Sequence, residues 1–331
     1  MPAGKKLTVV AFGDPHLTAY PPRWRLDADS FLSTQLFLIE RGIQIGLEQS
    51  EAGIAVFPGD VFNRRREDHN AALLGLLGII KNLPSGWKVL TTLGQHDMAA
   101  KSVELYETKS ALAILEKACP DKIKVLVGAA TYKLGNWEFR GCAFGESETA
   151  AWLAGERRWD AGEGVTRVLI VHASIGEESV GDWQSAAREI SPDCDLVIAG
   201  DIHSGISPQK CASGAMVYGA GVLSWMRKDE ASHPPQIGLI SRRSSGAVKI
   251  SVELLPHPDM SQIANPEIRD EVGDDDTEAE LDKMLKRVQE LRSESRASDE
   301  MLLEQVCETV KARKVVRRKA RAMLLRAKET A

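Results

Sequence analysis

LTVVAFGDPH, residues 7–16, is an apolar run with strand character that is followed at once by a carboxylate and an imidazole. A short apolar run that ends in a glycine predicts a buried strand. Asp14 and His16 would then lie just beyond the carboxyl end of this strand, which is the edge where open α/β sheets bind ligands. The same arrangement recurs along the chain, so it predicts both the fold and the site.

Four further apolar runs end in the same way, at a glycine or a histidine. They cover residues 53–59, 87–94, 165–172 and 194–200. Segments with helical spacing, 31–47 and 71–83, separate the first three strands. The front half therefore predicts repeated βαβ units and a largely parallel, buried sheet.

The later part of the chain changes its pattern. Strands are predicted there at residues 137–144, 214–221, 236–241 and 248–255, joined by Gly, Ser and Pro turns without long helices between them. These strands predict a second, mixed sheet packed on the first. The expected fold class is α/β, with two packed mixed sheets flanked by helices.

The strand pattern breaks near residues 256–258, and an acidic run, Asp274 to Asp276, precedes a segment without strand signals. Helical spacing returns at 281–291 and 301–325, and the second of these segments is dense in Lys and Arg. We expect one large domain at 1–256 and, at 257–331, a linker and a C-terminal helical extension whose basic, amphipathic helices suit docking on a partner.

Length and composition limit the classes of protein to which the chain can belong. A chain of 331 residues fits one large domain with an appendage. The five cysteines are scattered and lack the short spacing of a zinc knuckle, so they predict reduced packing residues in a reducing compartment. No run approaches the roughly 18 apolar residues of a membrane span, so we expect a cytoplasmic protein without a membrane partner.

Oxygen and nitrogen donors follow five predicted strands. They are Asp14, His16, Asp60, Gln95, His96, Asp97, His172, Asp201 and His203. A mixture of carboxylate and imidazole without cysteine suits Mn²⁺, Fe²⁺ or Zn²⁺ in a catalytic site. Two cations that share one carboxylate, here Asp60, form the arrangement used for in-line displacement at phosphorus.

The order of these blocks resembles the signature of the calcineurin-like metallophosphoesterases. It reads Asp14-x-His16, Gly59-Asp60, Gly94-Gln95-His96-Asp97, His172 and Gly200-Asp201-x-His203, within residues 7–255. Within that class the chain resembles the SbcD-type nucleases of the phage and prophage branch. The narrower resemblance rests on the GQHD and GDxH variants, on Lys109-Ser110-Ala111, and on the glycine-led stretch 221–230. It implies an α/β/β/α sandwich.

The resemblance also implies a ligand set for two divalent cations, Mn²⁺ first and Mg²⁺ or Fe²⁺ as alternatives. One cation would be held by Asp14, His16, Asp60 and His203, and the other by Asp60, Gln95, His172 and Asp201. His96 would face the scissile phosphate as a general acid, with Asp97 supporting it. The anionic Asp201 replaces a neutral nitrogen donor, which should favour Mn²⁺ or Mg²⁺ over zinc.

The implied function is that of a manganese-dependent DNA phosphodiesterase, an exonuclease and endonuclease in DNA repair and recombination. A bridging hydroxide would attack phosphorus while His96 assists the leaving group. The family's C-terminal helical element implies an SbcC-like coiled-coil ATPase as partner, in a bacterial or phage-infected cytoplasm, and a homodimer stays open. Arg64, Arg65, Arg66 and Arg227 are candidate contacts to the DNA backbone, or alternatively parts of exposed basic loops without a partner.

Two other functions stay open. The same site would serve a free-standing phosphodiesterase or phosphatase that acts on small phosphate esters. A catalytically weakened scaffold is the other alternative, because Gln95 and Asp201 depart from the common ligands and Asn63 stands where related nucleases often carry a histidine.

Overall fold

The computed structural model describes residues 7–64, 70–99, 102–128, 130–179 and 184–265. These residues belong to one compact unit that reaches Asn265. The predicted helices at 281–291 and 301–325 lie outside the described residues, so the domain boundary at residue 256 and the partner-binding extension stay predictions. In the part of the chain that is described, none of the helices is both long enough and apolar enough to cross a membrane.

The secondary structure alternates strands and helices in the front half and is mainly strands thereafter. The strands are β1 Leu7–Ala11, β2 Ala52–Phe57, β3 Trp87–Thr91, β4 Ile123–Val125, β5 Thr131–Leu134, β6 Trp137–Cys142, β7 Thr166–His172, β8 Ile175–Gly176, β9 Ser185–Ala186, β10 Leu196–Gly200, β11 Ile206–Lys210, β12 Met216–Gly219, β13 Gln236–Arg242 and β14 Val248–Leu254. The α-helices are α1 Phe31–Gln49, α2 Asn70–Lys81, α3 Tyr106–Lys109, α4 Ala111–Ala118, α5 Ser147–Leu153 and α6 Met260–Ile263, with 3₁₀ turns at Ala28–Ser30, Val103–Leu105 and Lys228–Ser232.

The first sheet has the order β14-β13-β1-β2-β3-β4. Strands β1 to β4 run parallel, as the βαβ pattern predicts, and β13 joins β1 in antiparallel fashion with Val9 opposite Ile240. Alternate residues point to opposite faces. Val10 and Phe57 therefore pack with Leu38 of α1 in a core between the sheet and the helices.

The second sheet has the order β11-β12-β10-β7-β6-β5. Its four central strands are parallel and both edge strands are antiparallel. Val9 and Val56 of the first sheet share one core cluster with Ile170 and Ile198 of the second, so the two sheets pack face to face. Trp152 of α5 covers the far side of the second sheet. The prediction of two packed mixed sheets flanked by helices is confirmed, and this layering is compatible with a sandwich.

One prediction about the sheets is wrong. The strands expected at 236–241 and 248–255 in the second sheet are β13 and β14, which extend the first sheet. They pair there because β1 would otherwise expose an unpaired backbone edge, and an antiparallel strand covers that edge.

The strand ends of the two sheets are joined beside the site. Asp14 N donates a hydrogen bond to Gly221 O (2.9 Å), and Leu223 N donates one to Asp14 O (3.0 Å). Asp14 follows β1 of the first sheet, whereas residues 221–223 follow β12 of the second. The carboxyl ends of both sheets therefore lie together, where the predicted donors are found.

Candidate metal centre

Three of the predicted ligands have a left-handed backbone. His16, Asp60 and Asp201 have φ angles of 44°, 45° and 89°. This region is unfavourable for residues with a Cβ, and such strain is concentrated at functional sites. The loops after β1, β2 and β10 are therefore held in these conformations by their surroundings.

A buried glutamine of α1 holds the loop that carries His16. Gln35 Nε2 donates to the carbonyl oxygens of Pro15 and His16, both at 3.1 Å, and its Oε1 accepts from Thr18 N at 3.2 Å. Gln35 is fully buried. Sequence reasoning placed Gln35 only on a predicted helix and assigned it no part in the site.

Asp97 connects the loops after β2 and β3. Its carboxylate accepts hydrogen bonds from the backbone amides of Gly94 (3.1 Å), Val61 (3.3 Å) and Phe62 (3.3 Å). Burial, together with the nearby charge of Asp60, raises the pKa of Asp97 to about 7. The carboxylate thus fixes the position of the Asp60 loop relative to the β3 loop.

The predicted support of His96 by Asp97 is wrong. His96 Nδ1 instead donates to the backbone carbonyl of Asn63, at 2.8 Å. The reason is that both Asp97 oxygens accept hydrogen bonds from backbone amides of the β2 and β3 loops. Because the acceptor is a carbonyl of the main chain, this orientation of His96 does not depend on the side chain at position 63.

Two motif glycines leave room for the carboxylates. A Cβ on Gly94 would lie 2.0 Å from Asp60 Oδ1, and a Cβ on Gly200 would lie 2.5 Å from Asp14 Oδ1. Real Cβ atoms do not approach oxygens this closely. The glycines are therefore required for the ligand side chains to pack against neighbouring loops.

Three histidines of the site share one hydrogen-bond pattern. Nδ1 of each lies against an oxygen: Pro58 O for His172 (2.9 Å), Asn63 O for His96 (2.8 Å) and Glu230 Oε1 for His203 (2.6 Å). Since these oxygens accept hydrogen bonds, Nδ1 carries the proton in each ring. Nε2 of each histidine is then directed towards the site.

The donors predicted for the first cation come together. One ligand atom from each of Asp14, His16 and His203 lies within 4.8 Å of the others. His16 Nε2 is 3.0 Å from His203 Nε2 and 3.8 Å from Asp60 Oδ2. His16, Asp60 and His96 form an overlapping group by the same criterion.

The donors predicted for the second cation surround His172 Nε2. This nitrogen is 2.9 Å from Gln95 Oε1, 3.4 Å from Asp60 Oδ2 and 3.7 Å from Asp201 Oδ1. Gln95 Nε2 donates to Asp201 Oδ1 at 3.2 Å, and Ser174 Oγ donates to the other oxygen of Asp201. The Gln95 side chain thus reaches the donors that surround His172 Nε2.

No protein-family model matches the chain, and no curated protein matches it at a significant level. The function of the chain is therefore indicated by the candidate site residues and their geometry.

Burial and charge make this site receptive to cations. Burial raises the pKa of Asp14 to about 6 and lowers that of His16 to about 3. Burial also favours a neutral His172 ring, but the carboxylates of Asp60, Asp14 and Asp201 outweigh it and raise the His172 pKa to about 10. Among the described residues, Asp14 Oδ1 and Asp60 Oδ2 are buried oxygens without a hydrogen-bond partner. Buried anionic oxygens require compensation, and a divalent cation that displaces the proton of an imidazole would supply it.

Two of the four candidate DNA contacts, Arg64 and Arg227, belong to the described residues, and their side chains have different neighbours. The Arg64 guanidinium lies over the ring of Tyr20, 5.5 Å from its centroid, and Arg227 forms an ion pair with Asp229 at 2.8 Å. Arg65 and Arg66 lie outside the described residues. Arg64 adjoins Asn63, which holds His96, and Arg227 lies three residues before Glu230, which holds His203. Both arginines therefore belong to segments that contact candidate ligand or candidate catalytic histidines.

Proposed function

We propose that this chain is a metal-dependent phosphodiesterase of the calcineurin-like class that cleaves DNA, with the sandwich fold and role of an SbcD-type nuclease subunit. The observation that carries the proposal is the position of Asp60 Oδ2. This buried oxygen lies 3.4 Å from His172 Nε2, 3.8 Å from His16 Nε2 and 4.0 Å from His96 Nε2. A carboxylate among three imidazole nitrogens is suited to bridge two cations.

The donor set fits two divalent cations. Asp14, His16, Asp60 and His203 would hold one, and Asp60, Gln95, His172 and Asp201 the other. When bound, such cations polarise phosphoryl oxygens and make water a nucleophile at neutral pH. Four of the seven donors would bind through oxygen, and Asp201 adds an anion, so we expect Mn²⁺, or Mg²⁺ and Fe²⁺, to be preferred over zinc.

His96 is the candidate general acid. Its side chain is 42% exposed, whereas those of Asp60 and His172 are almost fully buried, so it faces the side from which a substrate would approach. The Asn63 carbonyl fixes its Nδ1–H, which leaves Nε2 to carry a proton to the departing oxygen of the phosphodiester. An imidazole held in this way contributes typically about 10²- to 10⁴-fold to the rate.

DNA is favoured over a small ester by the basic side chains beside the metal centre. Arg64 and Arg227 lie on the segments that hold His96 and His203, and arginines in such positions can contact successive phosphates of a strand. The basic C-terminal segment predicted from the sequence would bind an SbcC-like ATPase, which would control access of DNA to the site. A homodimer is compatible with this role.

The test is a nuclease assay with Mn²⁺ on linear and hairpin DNA. We expect His96→Ala to lower cleavage about 10²-fold or more while Mn²⁺ binding is retained. His233→Ala, which changes an exposed histidine outside the site, should cleave at the wild-type rate. Equal cleavage by wild type and His96→Ala would refute the role of His96. Hydrolysis of bis-p-nitrophenyl phosphate without any cleavage of DNA would favour the small-ester alternative.

A further inference from the structure

A buried carboxylate outside the predicted ligand set contacts a ligand histidine. Glu230 is only 5% exposed. Its Oε1 accepts from His203 Nδ1 at 2.6 Å, and its Oε2 accepts from the backbone amides of Met226 (2.7 Å) and Arg227 (3.0 Å). Both oxygens are therefore engaged, one on the ligand ring and one on the main chain.

Side chains of Trp24 and Arg25 hold the segment that precedes Glu230 by hydrogen bonds to its backbone carbonyls. Trp24 Nε1 donates to Met226 O at 3.1 Å, and the buried Arg25 donates from Nη1 to Trp225 O at 3.0 Å. Arg25 is itself fixed by two hydrogen bonds to the carboxylate of Asp27, at 2.7 and 2.8 Å. These hydrogen bonds fix the backbone before Glu230, so the position of its carboxylate relative to His203 is determined by the fold.

This contact determines which nitrogen of His203 can bind a cation. A carboxylate can only accept, so the proton of the neutral ring lies on Nδ1 and the lone pair lies on Nε2. His203 Nε2 is the atom that faces His16 Nε2 at 3.0 Å. A carboxylate behind a ligand imidazole also raises its basicity and thereby its affinity for the metal.

We infer that Glu230 is a positioning residue of the metal centre, which fixes His203 for the cation shared with Asp14, His16 and Asp60. The inference rests on the metal binding in the proposed function but not on the nature of the substrate. It assigns the 221–230 stretch a part in building the site, because the same carboxylate that orients His203 also fixes the amides of Met226 and Arg227.

The test is calorimetric titration of the full chain with Mn²⁺. Replacing a carboxylate of this kind typically weakens metal affinity about 10- to 100-fold. We expect Glu230→Gln to weaken one of two sites about 10-fold and Glu230→Ala to weaken it towards 100-fold, with the other site changed less. Asp229→Asn removes the same charge from the neighbouring residue, whose side chain is 63% exposed, and should change both affinities less than about twofold.

Two further results decide the inference. Folded Glu230→Gln and Glu230→Ala proteins with wild-type affinity at both sites would overturn it. If these variants do not fold, ring ¹⁵N spectra of wild-type protein with Zn²⁺ decide, using His203→Asn for assignment. A proton on His203 Nδ1 with a metal-bound Nε2 supports the inference, and a metal-bound Nδ1 overturns it. A wild type that binds two Mn²⁺ ions yet cleaves no phosphodiester would refute the proposed function alone.

Discussion

Gln35 is a buried side chain whose removal should disturb both the stability of the fold and the candidate metal centre. The substitution Gln35→Leu keeps a side chain of similar volume but removes three hydrogen bonds, to Pro15 O, His16 O and Thr18 N. Each buried bond contributes about 1 kcal/mol net, and more where a backbone group loses its partner. Burial of the leucine offsets about 1 kcal/mol of this loss. We therefore expect the free energy of unfolding to fall by about 2–3 kcal/mol.

The assay is urea unfolding of EDTA-treated protein, with Gln44→Leu as the matched control. Gln44 lies on the same helix but is exposed, so the control should stay within about 0.5 kcal/mol of wild type. Gln35→Leu should also bind Mn²⁺ more weakly, because Gln35 holds the loop in which His16 has a φ of 44°. Equal stability and equal affinity in Gln35→Leu and Gln44→Leu would refute the positioning role of Gln35.

Three further outcomes are expected. Tyr218 carries a buried hydroxyl without a hydrogen-bond partner among the described residues, so Tyr218→Phe should unfold at equal or higher urea, with a gain of up to about 1 kcal/mol; a loss of stability would contradict this. In EDTA the stabilisation from protonated His172 is complete below its unfolded pKa of 6.5 and is lost as the pH rises towards about 10. Wild type should therefore lose more stability than His172→Gln between neutral pH and pH 10. If urea unfolding shows the same loss in both proteins, the raised pKa of His172 is contradicted. Mn²⁺ at about 100 times its Kd should raise the free energy of unfolding by about 2.7 kcal/mol, and Asp60→Asn should abolish most of this gain in a thermal melt.

Periodicity in the sequence predicted the central strands because they are buried on both faces. The runs at 7–13 and 165–172, for example, correspond to β1 and β7 within about two residues. The three-residue strand β4 was not predicted, since it is too short to show a period. β11, ISPQK, was missed because it is an exposed edge strand that contains a proline and a register shift. Periodicity also does not indicate which strands pair with each other, and for this reason β13 and β14 were assigned to the wrong sheet.

The predicted site residues had a local signal, whereas the supporting roles of Gln35 and Glu230 had none. Asp14 and His172 could be selected because each stands at the end of an apolar strand. Gln35 and Glu230 contact loops that lie 19 and 27 residues away in the sequence. The resemblance includes the stretch 221–230, but no local pattern indicates which ligand loop either side chain would contact. Asp97 was selected as part of a motif, but the sequence did not indicate that its hydrogen-bond partners are the backbone amides of Gly94, Val61 and Phe62.

In the proposed metal centre, donors from five strand ends would hold two cations that share Asp60. Anomalous diffraction at the manganese absorption edge, from crystals grown with Mn²⁺, tests it directly. We expect two manganese peaks, one on each side of Asp60. One should lie among Asp14, His16 and His203, and the other among Gln95, His172 and Asp201. The absence of any manganese peak within bonding distance of Asp60 would rule out a shared Asp60 ligand.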